Sequence, residues 1–243
     1  MSAELNILAI DTASEIFSVG ISTAAGNFCF EADAGTSHSE LLFDTIDALT
    51  RLARIEREDI DLFACMKGPG SFTGLRIGFA AVKGLALALE KRIISVPTLD
   101  CIAYPFKHNP FLCVPVLDAK QRRFFTALYL EGRRLTDFMD CTAEELAHYI
   151  NEKLGNTPSA PRIALLCGPG AAIARGALSG FLPPDIYLCA DDLYTGSAPA
   201  LLQYIKESNI LNNIEDARIS APLYIRKSDA EIKRAADAAA SAG

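Results

Sequence analysis

Two landmarks recur along this chain in the same order, and they constrain its fold more than any other feature. The apolar run Asn6–Ile10 stops at Asp11, and the run Cys113–Leu117 stops at Asp118, 107 residues later. Gly68-Pro69-Gly70 follows the run Leu62–Met66, and Gly168-Pro169-Gly170 follows Ile163–Cys167, 100 residues later. An acid that closes one buried strand and a turn that closes another, repeated at nearly one spacing, point to a single unit used twice.

Periodicity supplies the rest of that unit. Phe17–Ser22 alternates with period two and Phe28–Ala32 follows the turn Ala24–Asn27, which makes a three-stranded opening. Ser37 and Glu40 have capping-box spacing, and Leu41, Leu42, Ile46, Leu49 and Leu52 share one face of a helix predicted over His38–Ala53. A strand at Leu62–Met66, a helix over Thr73–Glu90, a strand at Ile93–Val96 and a short helix after Pro97 complete the order βββαβαβα. The second half follows with strands at Cys113–Leu117, Phe124–Leu130 and near Leu135–Phe138, and a helix from Ala143 opened by Thr142 and Glu145. A strand at Ile163–Cys167, a helix from Ala171, a strand at Ile186–Cys189 and a helix over Ala198–Glu207 close it. The expected fold class is α/β, two ribonuclease-H-like βββαβαβα units over residues 1–104 and 105–215, joined near Tyr104–Pro110. Residues 216–243 are expected to pack back on the first unit, with an Ala-rich, frayed end from Asp229.

With 50% hydrophobic and 22% charged residues in 243, the chain has the material for a large core, which excludes a disordered tail protein. A net charge of -7 and a pI near 5.0 exclude a self-sufficient binder of phosphate backbones, so any nucleic-acid role has to be shared with a partner. Seven cysteines, mostly within apolar runs and without a C-x-x-C pair, have the pattern of reduced, buried thiols, which makes the cytoplasm the expected compartment. Leu5–Ile10 is too short for a signal segment, and Ile77–Leu89, interrupted by Lys83, is too short to cross a bilayer; no membrane association is expected.

The densest motif is the strand exit and helix entry Lys67–Gly78. Gly68 and Gly70 permit a sharp turn, Ser71 or Thr73 can cap exposed amides, and free amides at a helix start attract phosphate. The Lys-Ser or Lys-Thr pair of a Walker loop is absent, so a plain βα turn competes with a nucleotide-binding one. Farther along, Gly74, Gly78 and Ala81 form a stripe of small residues that Gly84 and Ala88 extend. A glycine inside a helix costs about 0.8–1.0 kcal/mol relative to alanine, which close approach of another helix or strand would offset, either inside the fold or across a subunit interface. Asp11-Thr12-Ala13-Ser14 reads either as a strand-end turn or as a loop for hydrated magnesium and phosphate, while Asp118-Ala119-Lys120-Gln121 lacks the glycines that let a turn wrap a phosphate. His38, His108 and His148 have no metal-ligand spacing, and Ser71 has no G-x-S-x-G context, so neither a metal site nor a nucleophilic catalyst is expected.

Ile7–Ser14, Ser37–Leu42, Gly68–Gly78, Val116–Ala119 and Pro222–Arg226 together resemble the TsaB (YeaZ) family, in order across almost the whole chain and most strongly over residues 6–104. The resemblance implies the actin, sugar-kinase and heat-shock ATPase (ASKHA) fold. It also implies a part in tRNA threonylcarbamoyladenosine synthesis as a non-catalytic partner of the TsaD transferase, together with the TsaE ATPase. The catalytic paralogue carries an H-x-x-x-H metal pair where Thr98 and Ile102 stand here, and neither can replace an imidazole. Docking is expected through the two long helices of the first unit. Leu42, Ile46 and Leu49 are the candidates on one; Ser71, Phe72, Thr73, Gly74, Arg76, Ile77, Gly78 and Ala81 are those at and in the other. The same surface is expected to form a homodimer when the chain is alone, with tRNA reached only through the complex. No catalytic residue, metal or cofactor is expected, beyond a vestigial nucleotide site at Asp11, Thr12, Ser14 and Asp118 in the cleft between units or a nucleotide at the partner interface. The alternative is a free-standing nucleotide-dependent kinase or hydrolase that uses Asp11 and Asp118.

Overall fold

The computed structural model describes residues 5–157, 160–191, 194, 196–208, 210, 211 and 214–226; Lys227 and the Ala-rich stretch from Asp229 lie outside them. The first unit comprises β1 (Ile7–Asp11), β2 (Ile16–Thr23), β3 (Gly26–Asp33), α1 (His38–Ala53), β4 (Leu62–Gly68), α2 (Phe72–Ala88), β5 (Arg92–Pro97) and α3 (Thr98–Ala103). The second comprises β6 (Leu112–Asp118), β7 (Arg123–Thr126), β8 (Tyr129–Leu130), β9 (Arg133–Arg134), β10 (Met139–Thr142), α4 (Ala143–Gly155), β11 (Ile163–Cys167), α5 (Ala171–Leu178), β12 (Tyr187–Ala190) and α6 (Ala198–Glu207).

The two sheets run β3-β2-β1-β4-β5 and β10-β7-β6-β11-β12, the same order within each unit. β1 pairs antiparallel with β2 and parallel with β4, and β4 parallel with β5; β6, β7, β11 and β12 repeat these pairings. This is the expected duplication of a ribonuclease-H-like unit. On the outer face of the first sheet, Leu42, Ile46 and Leu49 of α1 and Phe79 and Val82 of α2 join Leu8, Ile10, Phe17 and Val19 in one core. Each such side chain, fully buried, contributes about 1.5–3 kcal/mol. α4 and α5 cover the outer face of the second sheet in the same way. Between the sheets, α6 sets Leu201, Leu202 and Ile205 against Ile7, Ala9 and Leu62 of the first sheet, while α3 sets Leu99 and Ile102 against Cys113, Leu117 and Cys167 of the second. Each unit's last helix therefore reaches the other unit's sheet. Among the described residues no helix is long and apolar enough to cross a membrane.

Three local expectations fail for identifiable reasons. The strand expected over Phe124–Leu130 breaks into β7 and β8 at Leu128, whose N–H donates to Thr136 Oγ1 and whose carbonyl accepts from Leu135 N–H, and Glu131 and Gly132, both at positive φ, then close a two-residue hairpin in which Leu130 faces Arg133. That hairpin takes up chain, and the third strand of the unit falls at Met139–Thr142 instead of Leu135–Phe138. At α1 the Ser37 side chain makes no capping bond; the start is held by backbone bonds from Glu40 and Leu41 to Ser37 O and by His38, buried and stacked 5.9 Å from Phe17. The box at α4 does form, with Glu145 N–H donating to Thr142 Oγ1 at 3.2 Å and Thr142 N–H to Glu145 Oε2 at 2.7 Å. Five of the cysteines are buried, whereas Cys189 is half-buried and Cys29 is exposed on the edge strand β3.

Candidate functional site

The Gly-Pro-Gly turn of the first unit delivers α2 directly onto the β1–β2 turn. Ser71 Oγ caps the helix by accepting from Gly74 N–H at 3.2 Å, Ser71 N–H donates to Ala13 O at 2.7 Å, and the Thr12 hydroxyl donates to Gly74 O at 2.7 Å. A Cβ at Gly74 would lie 1.9 Å from Thr12 O, one at Gly70 2.5 Å from Ala13 O, and one at Gly78 2.6 Å from Thr12 Oγ1. For Gly74 and Gly78, close approach inside the fold is the explanation that operates; Gly84 and Ala88 at the far end of the stripe are exposed.

Burial inside the fold corrects six of the eleven expected docking residues. Gly74, Gly78 and Ala81 face the β1–β2 turn and the core, and Leu42, Ile46 and Leu49 are at most 4% exposed because their stripe is what seals the sheet. Ser71, Thr73 and Arg76 are exposed, with Phe72 and Ile77 half-buried. Sequence reasoning missed the exposed apolar residues: Phe43 and Leu52, 47% and 64% exposed on opposite flanks of the α1 stripe, and Leu87 on α2, 51% exposed, beside Ala80 and Gly84. A Cβ at Gly84 would meet nothing within 4 Å. Helical phase carried the signal, since Leu52 falls about 80° away from the stripe defined by Leu42, Ile46 and Leu49.

The two acids that close the first strands are not brought into one site. Asp11 is 1% exposed; its carboxylate accepts from Ala13 N–H at 2.9 Å and faces the Tyr194 hydroxyl at 3.5 Å and Ser197 at the start of α6. Burial pushes its pKa up to about 6, against the opposing pull of those donors. Asp118 instead lines the cleft between the units, accepting from Lys120 N–H at 2.8 Å and Lys120 Nζ at 3.1 Å, and Nζ also reaches Glu15 at 3.0 Å. The expected nucleotide site of Asp11, Thr12, Ser14 and Asp118 is thus dispersed. Asp11 lies under α6, Thr12 is spent on Gly74, and Ser14 bonds to Ile16; only Ser14 and Asp118 line the cleft.

The cleft holds a cavity of about 560 Å³ whose walls include Pro69, Phe72, Phe125, Pro169, Ile173 and Tyr224. Gly35, Gly70, Ser71, Lys120 and Arg226 share these walls, while the direct contact of α2 with the carbonyls of Thr12 and Ala13 closes the space between the β1–β2 turn and the helix start. The positions of the paralogue's metal pair do not fit a metal either. Thr98 Oγ1 accepts from Gly68 N–H at 3.2 Å, and Ile102 Cγ2 lies 2.9 Å from where a Cβ on Gly168 would stand.

The model of a family described as tRNA N6-adenosine threonylcarbamoyltransferase, TsaD, matches residues 32–234. The chain belongs to this family. Curated relatives within it are the tRNA threonylcarbamoyladenosine biosynthesis proteins TsaB of Escherichia coli (strain K12), 33% identical, and of Bacillus subtilis (strain 168), 30% identical. Both matches extend over 128 residues, 51% of this chain and 55% of the relative, so the chain spans about half the length of the curated relatives it matches. Among solved structures, YeaZ from Pseudomonas aeruginosa has the same fold, with a TM-score of 0.73 and 21% identity over 91% of this chain and all of that one. The family is one of tRNA modification, and the TsaB relatives are named for threonylcarbamoyladenosine biosynthesis.

Proposed function

We propose that this chain is a non-catalytic assembly subunit of cytoplasmic tRNA threonylcarbamoyladenosine synthesis, which docks a TsaD-type transferase and works with a TsaE-type ATPase. The observation that carries this reading is the outer face of the α1–α2 pair. Its inner stripes are committed to the sheet, yet Leu87 of α2 stands exposed beside Ala80 and Gly84, and α1 exposes Phe43 on one flank and Leu52 on the other. Large apolar side chains left in solvent on helices whose inner faces are already filled fit a protein partner. In the absence of the transferase, the same face pairs with a second copy of the chain. A non-enzymatic role is supported by the burial of Asp11 under α6 and by the use of Thr98 and Ile102 for packing. With a net charge of -7 the chain alone binds tRNA weakly, and its contribution passes through the transferase.

Reconstitution with a TsaD-type transferase, a TsaE-type ATPase and tRNA tests this reading. Formation of the modified nucleoside requires the chain, and Asp118→Asn supports it as well as wild type does. Nucleoside formation without the chain, or its loss in Asp118→Asn with partner binding intact, favours the nucleotide-dependent enzyme instead.

A further inference from the structure

The C-terminal motif Pro222–Arg226 joins the start of α2 to the second unit. Beyond α6 the chain returns to the first unit, where Glu215 bridges to Ile93 of the edge strand β5 and donates its N–H to Ile93 O at 2.9 Å. Burial opposes ionisation of the Glu215 carboxyl, but Ser220, Ser95 at 2.6 Å and Lys67 at 3.2 Å hold it below its usual range. Lys83 of α2 donates to the carbonyls of Ser220 at 2.9 Å and Arg218 at 3.3 Å. Leu223 N–H then donates to Lys67 O at 2.7 Å, and a Cβ at Gly68, whose φ is +108°, would stand 2.5 Å from Leu223 O. The strap thus lies on the Gly-Pro-Gly turn because that turn offers bare backbone. Tyr224 packs its ring 4.8 Å from that of Phe72 and accepts from Arg76 Nε at 3.3 Å.

Arg226 crosses to the second unit. Its guanidinium donates to Ala119 O at 2.5 Å, lies 3.6 Å from the Asp140 carboxylate that Arg123 also binds, and sits 5.5 Å from the centre of the Phe125 ring. The β6–β7 turn that it grips holds Lys120, Gln121 and Arg122 at φ of 60°, 53° and 61°, a left-handed run without glycine that persists only where its surroundings hold it. From this turn Lys120 reaches back across the cleft to Glu15 of the first unit. The cations near the cleft mouth are therefore spent on contacts within the chain.

We propose that residues 223–226 form an interdomain clasp. Leu223 and Tyr224 seat it on the Gly-Pro-Gly turn and α2, and Arg226 pins the β6–β7 turn, so that the cleft is held at fixed width and the start of α2 is fixed relative to the second unit. Hydrogen exchange on the full chain tests this. In Arg226→Ala the amides of residues 119–124 and 70–75 exchange about tenfold faster, while those of the central strands β1 and β4 keep wild-type rates. Unchanged exchange in both segments, or acceleration spread evenly through both sheets, overturns the clasp. Should Arg226→Ala fail to fold, Arg226→Lys decides: it keeps the charge near Asp140 but loses the planar fork that also reaches Ala119 O. A rise confined to the same two segments supports the clasp, and wild-type rates overturn it.

Discussion

The helix that leaves the Gly-Pro-Gly turn carries Gly74 and Gly78 in the first unit, where the second unit has Ala174 and Leu178 at the same distances from its own turn. Each turn presses its last glycine onto a carbonyl, but at a different place: a Cβ at Gly170 would lie 2.9 Å from Val116 O within β6, which also accepts from Gly170 N–H at 2.9 Å, whereas the first turn rests on Ala13 O beyond the end of β1. Beyond the turn the units part. α2 continues for 17 residues with its backbone against Thr12, whereas α5 runs for eight and fills the same space with the side chains of Ala174 and Leu178. The turn is thus a requirement of the strand-to-helix topology, and the glycine stripe is a choice of the first unit. It lets the start of a long helix sit directly against the β1–β2 turn.

The largest effect expected is at Gly74. Gly74→Ala puts a methyl group 1.9 Å from Thr12 O and should cost more than about 4 kcal/mol or abolish folding. Gly176→Ala, where a Cβ meets nothing within 4 Å, should be neutral or stabilise by about 1 kcal/mol. Chemical denaturation of both variants checks the contrast, and a tolerated Gly74→Ala breaks it. For the same reason Gly78→Glu disrupts the fold and cannot probe an interface.

A smaller effect separates the two strand-closing acids. The native state raises the Asp11 pKa from 3.8 to about 6, so the folded chain binds the proton more tightly than the unfolded one. The charge on Asp11 therefore opposes folding, fully above about pH 6 and not at all below about pH 4, and stability falls as pH rises between them. Asp11→Asn keeps the acceptor for Ala13 N–H and should stabilise by about 2–3 kcal/mol at pH 7, a gain that vanishes by pH 4. The cleft-facing Asp118→Asn should change stability by less than about 0.5 kcal/mol. Thermal melts across pH decide; equal effects at the two sites would remove the distinction between a buried and a cleft acid.

The smallest contrast is between helix starts. Thr142→Ala removes a formed capping box from α4 and should cost about 1 kcal/mol, whereas Ser37→Ala at α1, whose side chain makes no capping bond, should cost a few tenths. Equal losses in urea melts would show that the α1 cap forms in solution.

The duplicated order of elements was legible because strand-closing acids and Gly-Pro-Gly turns are local features that either unit would need alone. The α4 cap was legible for the same reason. The fate of Asp11 was not, because Tyr194 and Ser197 come from the far end of the chain and only the packing of α6 on the first sheet brings them near. Nor could composition tell which side of α2 its glycines occupy. That depends on the carbonyls of Thr12 and Ala13, which have no signature in residue type. The β9–β10 region was misplaced because a two-residue hairpin at Glu131-Gly132 resembles an ordinary strand end until both positive φ values are seen.

The central claim is that the outer face of α1 and α2 binds the transferase. Its most direct test is titration calorimetry of the chain against a TsaD-type transferase, with Phe43→Glu and Leu87→Glu as variants at residues 47% and 51% exposed. Both should melt as wild type does, yet bind at least about tenfold more weakly, since a carboxylate would be desolvated in an apolar contact. Wild-type affinity in both folded variants would contradict the assignment of this face.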